Sequence, residues 1–270
     1  MERPLLVASD VDGTLLGAGD SVSARTRAAI DRVRVAGVPF VLVSGRPPRW
    51  IGPVHRATGI GGIAVCANGA VLYDIDGDQV LHTEAIDPKL LRDVVHTLDG
   101  VLPRCRIAVE RVGESAFGLD GGEFLIEVDY RHPWTGDSHL VVPRDQLLGH
   151  PVVKLLVSSK GWTSEQIATS AEELLDGSVQ ITYSTSDGLV EISAAGVTKQ
   201  SGLALVADRH GVAAADIVAF GDMPNDLPML AWVGHGVAMG NGHPSVLPIA
   251  DEVTAANTAD GVAQVLERWF

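Results

Sequence analysis

The sequence predicts an α/β protein whose core is a doubly wound parallel sheet, interrupted by an inserted α+β domain. Short apolar runs alternate with amphipathic helical segments near the N-terminus, and the same alternation returns near the C-terminus. The stretch between them instead shows several short strands and one or two helices, which is typical of an α+β unit. We therefore expect a core built from residues 1–83 and 189–270, and an inserted domain at residues 84–188.

The N-terminal part of the core reads as β-α-β-α-β. Residues 5–11 form a continuous apolar run, as in strands buried on both faces of a parallel sheet. Residues 23–36 predict an amphipathic helix that stops at Gly37. The next strand is expected at residues 38–43, a helix from about residue 48, and a third strand at residues 63–67. This order predicts a doubly wound sheet.

The remaining elements follow from the same patterns. In the C-terminal part of the core, strands are expected at residues 217–220 and 236–239, and helices at residues 199–210, 224–231 and 261–269. In the inserted domain, helices are expected at residues 87–98 and 164–175, and strands at residues 104–110, 123–129, 152–158 and 179–185.

Composition narrows the class of protein. The chain has 270 residues, 46% of them hydrophobic, which is enough for a substantial core. Its net charge of -14 argues against nucleic acid and anionic membranes as main partners. Two cysteines, no signal-peptide pattern and no long apolar span favour a soluble cytoplasmic protein. The oligomeric state stays open.

Several chemically active residues follow predicted strands. Open α/β sheets bind ligands beyond the carboxyl ends of their strands. Three stretches fall at such ends: Asp10-Val11-Asp12-Gly13-Thr14, Ser44-Gly45-Arg46-Pro47 and Gly221-Asp222-Met223-Pro224-Asn225-Asp226. Lys199 differs because it opens a predicted helix. We expect these residues to meet at one edge of the sheet.

Four of the expected site residues are carboxylates: Asp10, Asp12, Asp222 and Asp226. Clustered carboxylates repel one another unless a cation lies among them, and oxygen ligands suit Mg²⁺. Lys199 adds a positive charge, and Ser44 with its neighbouring backbone N–H groups, at a helix start, is expected to hold a phosphate. Such a set suits phosphoryl transfer through an aspartyl phosphate.

Six segments in order give the chain its family resemblance: Asp10-Val11-Asp12-Gly13-Thr14-Leu15, Val43-Ser44-Gly45-Arg46-Pro47, Cys66-Ala67-Asn68-Gly69-Ala70, Lys199, Gly221-Asp222-Met223-Pro224-Asn225-Asp226 and Gly236-Val237-Ala238-Met239-Gly240-Asn241. Over its whole length the chain resembles the haloacid dehalogenase (HAD) superfamily phosphatases of class IIB, the Cof-type group. The resemblance implies a Rossmann-like (HAD-like) core and an inserted cap domain that covers the site.

The resemblance also implies residue roles. Asp10 becomes the nucleophile and Asp12 the general acid/base, while Asp10, the Asp12 carbonyl and Asp222 hold Mg²⁺. Asp226 supports the metal waters or Lys199. The implied phosphate-binding residues are Ser44, Lys199 and Asn225, with Gly45 nearby.

Three features of the sequence each allow two interpretations. Arg46 either reaches a substrate group, such as the phosphate, or pairs at the surface. Asn68-Gly69 is a turn between strands unless it has a role in the site. In the inserted domain, a polar and aromatic stretch either lines a substrate pocket or is a solvated loop; its residues are Arg131, His132, Trp134 and His139.

The combined hypothesis is a Mg²⁺-dependent phosphatase that hydrolyses a small phosphomonoester. Sugar or polyol phosphates are the substrate class that the resemblance implies. One alternative is a phosphomutase or phosphotransferase, in which a sugar hydroxyl replaces water as the acceptor. The other is a non-catalytic sugar-phosphate binding protein, although every expected catalytic group is present.

Overall fold

The computed structural model describes residues 2–116, 123–131 and 139–270. The chain divides into two compact units. The first combines Met1–Leu81 with Thr198–Phe270, and the second is His82–Val197. His132 and Trp134 of the predicted polar stretch lie outside the described residues.

Among its described residues, the N-terminal part of the first unit contains two α-helices, two strands of the five-stranded main sheet and a three-stranded sheet. In chain order its elements are β1 (Leu6–Ser9), α1 (Ala24–Val35), β2 (Phe40–Leu42), α2 (Ile51–Thr58), β3 (Ile63–Cys66), β4 (Val71–Asp74) and β5 (Gln79–Thr83). Ser23 caps α1, because its side chain accepts a hydrogen bond from the N–H of Thr26.

The second unit follows with α3 (Pro88–Asp99), β6 (Arg106–Arg111), β7 (Glu123–Ile126), β8 (Leu140–Val141), α4 (Arg144–Leu147), β9 (Lys154–Ser158), α5 (Ser164–Leu175), β10 (Val179–Thr182) and β11 (Leu189–Ala194). The chain then returns to the first unit with α6 (Lys199–His210), β12 (Ile217–Gly221), α7 (Leu227–Trp232), β13 (His235–Ala238), β14 (Glu252–Val253) and α8 (Gly261–Leu266).

The main sheet of the first unit is parallel, in the order β14-β13-β12-β1-β2. Every residue of β1 and of β12 is buried, as expected for a parallel sheet covered on both faces. Polar groups are therefore confined to the strand ends. The predicted fold class, a doubly wound α/β core with an additional α+β region, is confirmed.

One core strand differs from the prediction. The run at residues 63–67 was expected to extend the parallel sheet, but β3 pairs antiparallel with β4 in a separate sheet ordered β3-β4-β5. A parallel bridge between Val43 and Val65 joins it to the main sheet beyond the end of β2. Among the described elements, the strands β4, β5, β8, β11 and β14 and the short helix α4 were not predicted.

The second unit contains a six-stranded sheet ordered β10-β11-β9-β6-β7-β8. Its pairs are antiparallel except for β7 with β8. Side chains from α3 and α5 share a buried cluster with one face of this sheet. The predicted domain end at residue 188 is too early, because β11 pairs with β9 and β10 and buries Val190 and Ile192 in that cluster.

Candidate active site

The order of strands in the main sheet gathers the predicted site. Asp10 follows β1, Asp222 follows β12 and Ser44 follows β2. The N–H of Asp10 donates to the carbonyl oxygen of Phe220 at 2.9 Å, which extends the ladder between β1 and β12 by one step. Since these three strands are neighbours, their carboxyl ends lie side by side.

Lys199 lies at the centre of the charged groups. It is the first residue of α6, whose start is fixed by a reciprocal cap between Thr198 and Ser201. Its Nζ donates to Asp10 Oδ1 at 2.5 Å and to Asp226 Oδ1 at 2.7 Å. Burial alone lowers the pKa of Lys199, but the attraction of Asp10 and Asp226 outweighs it and raises the pKa above its ordinary value. The side chain is therefore a buried ammonium.

Three buried carboxylates form a candidate cation site. One oxygen from each of Asp10, Asp222 and Asp226 lies within 4.8 Å of the other two. Burial raises the pKa of Asp10 well above its ordinary value, Lys199 opposes that rise, and the neighbouring carboxylates add to it. Burial and Asp226 likewise raise the pKa of Asp222 to about 6.

Asp226 has a supporting position in this cluster. Its Oδ2 accepts hydrogen bonds from the N–H groups of Asp222 and Met223, both at 2.9 Å, while its Oδ1 accepts from Lys199. Of the two roles implied for Asp226, the described contacts favour support of Lys199.

Gly13 lets Asp222 approach the turn after β1. Its φ is +77°, and a Cβ at this position would lie 2.3 Å from Asp222 Oδ2. The next residue, Thr14, donates its hydroxyl to Asp222 Oδ1 at 2.7 Å. The carbonyl oxygen of Gly13 accepts from Asn241 Nδ2 at 2.9 Å. A larger residue at position 13 would displace a carboxylate of the cluster.

Asp12 points away from the cluster and pairs with Arg46. The guanidinium donates from Nε to Asp12 Oδ2 at 2.8 Å and from Nη2 to Asp12 Oδ1 at 2.6 Å. Nη2 also reaches Asp20 Oδ1 at 2.9 Å. Arg46 therefore pairs with carboxylates in this structure, and the Asp12 side chain is 59% exposed.

Ser44 and Asn225 carry the remaining predicted groups. The backbone N–H of Ser44 donates to Val65 at 2.8 Å, and its Oγ accepts from the N–H of Arg46 at 3.1 Å. The helix predicted from about residue 48 begins with a 3-10 turn at Pro48 and continues as α2 from Ile51, so Ser44 lies ahead of the helix and not at its first residue. Gly45 lies between Ser44 and Arg46 in the sequence.

Three residues of the site were missed from the sequence. Thr14 and Asn241 were part of quoted motifs but received no role, and Asn68 was left open between a turn and a role in the site. Asn68 accepts a hydrogen bond from Asn225 Nδ2 at 3.1 Å. The available signal was a polar residue, Asn68, between the neighbouring strands β3 and β4. Its partner Asn225 lies 157 positions away in the sequence.

Comparison with known proteins gives consistent matches. A family model described as haloacid dehalogenase-like hydrolase matches residues 7–266. The chain is 30% identical over 279 residues to the 5-amino-6-(5-phospho-D-ribitylamino)uracil phosphatase YitU of Bacillus subtilis, covering 99% of this chain and 98% of that protein. No helix among the described residues has both the length and the apolar character to cross a membrane.

Solved structures share the fold. A phosphatase of the haloalkanoate superfamily from Bacteroides thetaiotaomicron superimposes with a TM-score of 0.80 at 25% identity, covering 100% of this chain and 95% of that one. A subclass IIB sugar phosphatase of the superfamily gives a TM-score of 0.82 at 18% identity, covering 98% of both chains.

Proposed function

The chain belongs to the haloacid dehalogenase-like hydrolases, and from this premise we propose a Mg²⁺-dependent phosphatase that works through a phosphoaspartate on Asp10. The predicted family and the predicted enzyme class, a phosphatase, are confirmed. The Mg²⁺, the covalent intermediate and the residue roles are the proposal. The observation that carries it is the buried Lys199 ammonium, which bonds Asp10 and Asp226 beside the carboxylate of Asp222.

The residues fit a divalent cation with oxygen ligands. The cluster offers buried carboxylate oxygens from Asp10 and Asp222, and the Asp12 carbonyl lies in the same turn. Burial is the largest cause of the raised pKa values of Asp10 and Asp222, and a cation bound between them would favour their charged forms. When bound, Mg²⁺ neutralises charge on the phosphoryl oxygens.

The first half-reaction transfers the phosphoryl group to the protein. A carboxylate oxygen of Asp10 attacks phosphorus, and the bond from phosphorus to the leaving oxygen breaks. Asp12 gives its proton to that oxygen, so the alcohol leaves neutral. Lys199 remains protonated and holds Asp10 in position. Ser44, Gly45 and Asn225 are proposed to bind the phosphoryl oxygens together with Lys199.

The second half-reaction restores the enzyme. Asp12, now a carboxylate, takes a proton from water while the water oxygen attacks phosphorus. The bond from phosphorus to Asp10 breaks, which regenerates the Asp10 carboxylate and releases inorganic phosphate. Asp12 acts in both half-reactions, and in the structure its carboxylate is bound by Arg46.

The proposed substrates are small sugar or polyol phosphates. The name of the Bacillus relative describes a phosphorylated ribityl chain, which is a polyol phosphate. We also propose that the second unit selects the substrate and that the protein is cytoplasmic. The acidic composition is consistent with small-molecule substrates in preference to nucleic acid.

The test measures phosphate release from a panel of phosphomonoesters with Mg²⁺. The panel includes p-nitrophenyl phosphate, hexose, pentose and ribityl phosphates, glycerol phosphates and nucleotides. Wild type, Asp10→Asn and the exposed control Asp208→Asn are compared. We expect Asp10→Asn to lose at least about a thousandfold in kcat, because an amide is a poor nucleophile. Asp208→Asn should match wild type.

The outcomes separate the candidate functions. Turnover by Asp10→Asn at the wild-type rate would contradict the covalent mechanism, and full activity in EDTA would contradict the metal requirement. Isomerised sugar phosphate without free phosphate would instead indicate a phosphomutase. Binding of sugar phosphates without any turnover would indicate a binding protein.

A further inference from the structure

The segment Ala67-Asn68-Gly69, between β3 and β4, has an uncommon backbone conformation. The φ angles of its three residues are 49°, 58° and 107°, and all three are buried. A left-handed conformation is unfavourable for a residue with a side chain, less so for asparagine than for alanine, and two such residues stand in a row here. Strain of this kind persists only where the surroundings enforce it, and it is concentrated at functional sites.

The backbone of this segment is tied to the strand end that carries Ser44. The N–H of Ala67 donates to the carbonyl oxygen of Arg46 at 2.9 Å, and the N–H of Asn68 donates to that of Ser44 at 3.0 Å. A third bond, from the N–H of Ser44 to the carbonyl oxygen of Val65, precedes them. Together the three bonds extend the contact beyond the end of β3.

The same segment packs against the start of α6. A Cβ on Gly69 would lie 2.0 Å from the carbonyl oxygen of Thr198 and 3.4 Å from the backbone nitrogen of Lys199. A glycine at this position is therefore required both by its φ and by the close approach of the helix that carries Lys199.

The side chain of Asn68 contacts a third part of the site. It is 2% exposed, and its Oδ1 accepts from Asn225 Nδ2 at 3.1 Å. The other amide atom of Asn225 is buried with no hydrogen-bond partner among the described residues. The bond therefore fixes one edge of the Asn225 carboxamide and leaves the other for a ligand. The hydrogen bond between Asn68 and Asn225 also forms when both carboxamides are flipped by 180°, since each group offers a donor and an acceptor. In that orientation Asn225 presents Nδ2 to a ligand in place of Oδ1.

We propose that Asn68 is a positioning residue for the transferring phosphate. It fixes the carboxamide plane of Asn225, and its strained backbone holds that carboxamide in register with Ser44 and with the helix start at Lys199. Asn68 acts through Asn225 and does not itself touch the phosphate. This inference rests on the proposed function, in which Asn225 binds a phosphoryl oxygen.

A double-mutant cycle tests the inference, using wild type, Asn68→Gly, Asn225→Ala and the double variant. Glycine removes the carboxamide but accepts the left-handed backbone, so the fold is expected to persist. Asp176→Gly is the matched control, because Asp176 is left-handed and exposed at the end of α5. The measurements are kcat, KM and the inhibition constant of inorganic phosphate, each with Mg²⁺.

We expect Asn68→Gly to raise both KM and the phosphate inhibition constant about tenfold, the size of one hydrogen bond to a charged group. The double variant should be no weaker than Asn225→Ala alone, because both changes remove the same interaction. Asp176→Gly should leave all three constants unchanged.

Two results would overturn the inference. Additive losses in the double variant would show that Asn68 acts independently of Asn225. A lower kcat with unchanged KM and phosphate inhibition would show a purely structural role. Phosphate release by wild type, measured first, tests the proposed function alone. A wild type without release or phosphate inhibition contradicts that function and the inference with it, whereas an active wild type with an additive cycle contradicts only the inference.

Discussion

The two units of the molecule place their buried charges differently. In the first unit, Asp10 and Asp222 follow the ends of parallel strands whose own residues are buried. In the second unit, the buried charges lie within strands, with Glu110 in β6, Lys154 in β9 and Glu191 in β11. The difference follows from the layers that cover each sheet.

A parallel sheet covered on both faces has no place for a charge within a strand, so charge collects at the ends. The antiparallel sheet packs one face on α3 and α5, through residues such as Val109 and Leu155, and alternation sends Glu110 and Lys154 to the other face. Within that face Lys154 pairs with Glu191, which also accepts from Ser184 Oγ at 2.7 Å. We infer that the charges at strand ends serve reaction and those within strands serve folding.

The largest expected effect separates activity from stability at Asp222. Asp222→Asn should lose at least about a thousandfold in kcat, because a proposed metal ligand is neutralised. It should also raise the Tm of the metal-free protein at pH 7.5. Burial raises the pKa of Asp222 from 3.8 to about 6, so ionising it costs the folded state up to about 3 kcal/mol above pH 6.

The raised pKa of Asp222 determines how its effect on stability depends on pH. Between pH 4 and pH 6 the folded Asp222 keeps a proton that the unfolded chain has released, so wild-type stability falls as pH rises through that range. The Tm gain of Asp222→Asn should therefore be full at pH 7.5 and small at pH 4.5, in EDTA. The exposed Asp208→Asn should change the Tm little at either pH. A variant less stable than wild type at pH 7.5 would contradict the inference.

For Lys154 in β9 we expect the opposite result, a loss of stability with most of the activity kept. Lys154→Met leaves Glu191 buried without its cation, which typically costs about 3–5 kcal/mol. Calorimetry should show a Tm lower by roughly 10 °C, with kcat at low temperature within about tenfold of wild type. The double variant Lys154→Met with Glu191→Leu should recover part of the Tm, because it removes the carboxylate that Lys154 pairs with, while Glu110 stays buried opposite position 154. Lost activity at unchanged Tm would assign Lys154 to ligand binding.

The same comparison explains what the sequence could predict. Asp10, Ser44 and Asp222 were found because each follows an apolar run, and a local pattern therefore places them at the sheet edge. Lys154 and Glu191 carry no such local signal, since a single charge in a short strand is equally typical of an exposed face. Alternation alone does not say which face is covered.

Long-range contacts were also beyond the sequence. Arg46 pairs with Asp12, which lies 34 positions earlier, and no local spacing encodes that contact. The strand β3 was placed in the main sheet because its apolar run cannot distinguish parallel from antiparallel neighbours. The domain boundary was set too early because no strand was predicted at the residues of β11, and the pairing of β11 with β9 assigns it to the second unit.

A smaller effect is expected where backbone geometry controls a strand-end charge. Gly13→Ala places a methyl group 2.3 Å from Asp222 Oδ2 at a φ of +77°, so Asp222 must move. We expect about a hundredfold loss in kcat. Gly211→Ala is the control, since Gly211 has a φ of +65° but open space around its Cβ position. It should cost about 1 kcal/mol in stability and leave kcat unchanged. Equal kcat losses in the two variants would attribute the effect to backbone strain alone.

The smallest expected effect concerns the exposed charge at the strand end, Asp12, and its partner Arg46. If Arg46 orients Asp12, Arg46→Ala lowers kcat about tenfold and leaves KM and phosphate inhibition unchanged, because the general acid is misplaced while the phosphate contacts remain. Arg46→Lys should recover only part of kcat, since an ammonium cannot reproduce the two-point bond of a guanidinium. Arg34→Ala, which breaks only an exposed pair within α1, should match wild type. A rise in the phosphate inhibition constant of Arg46→Ala would instead make Arg46 a phosphate ligand, and the exposed pair would then be a resting contact that substrate displaces.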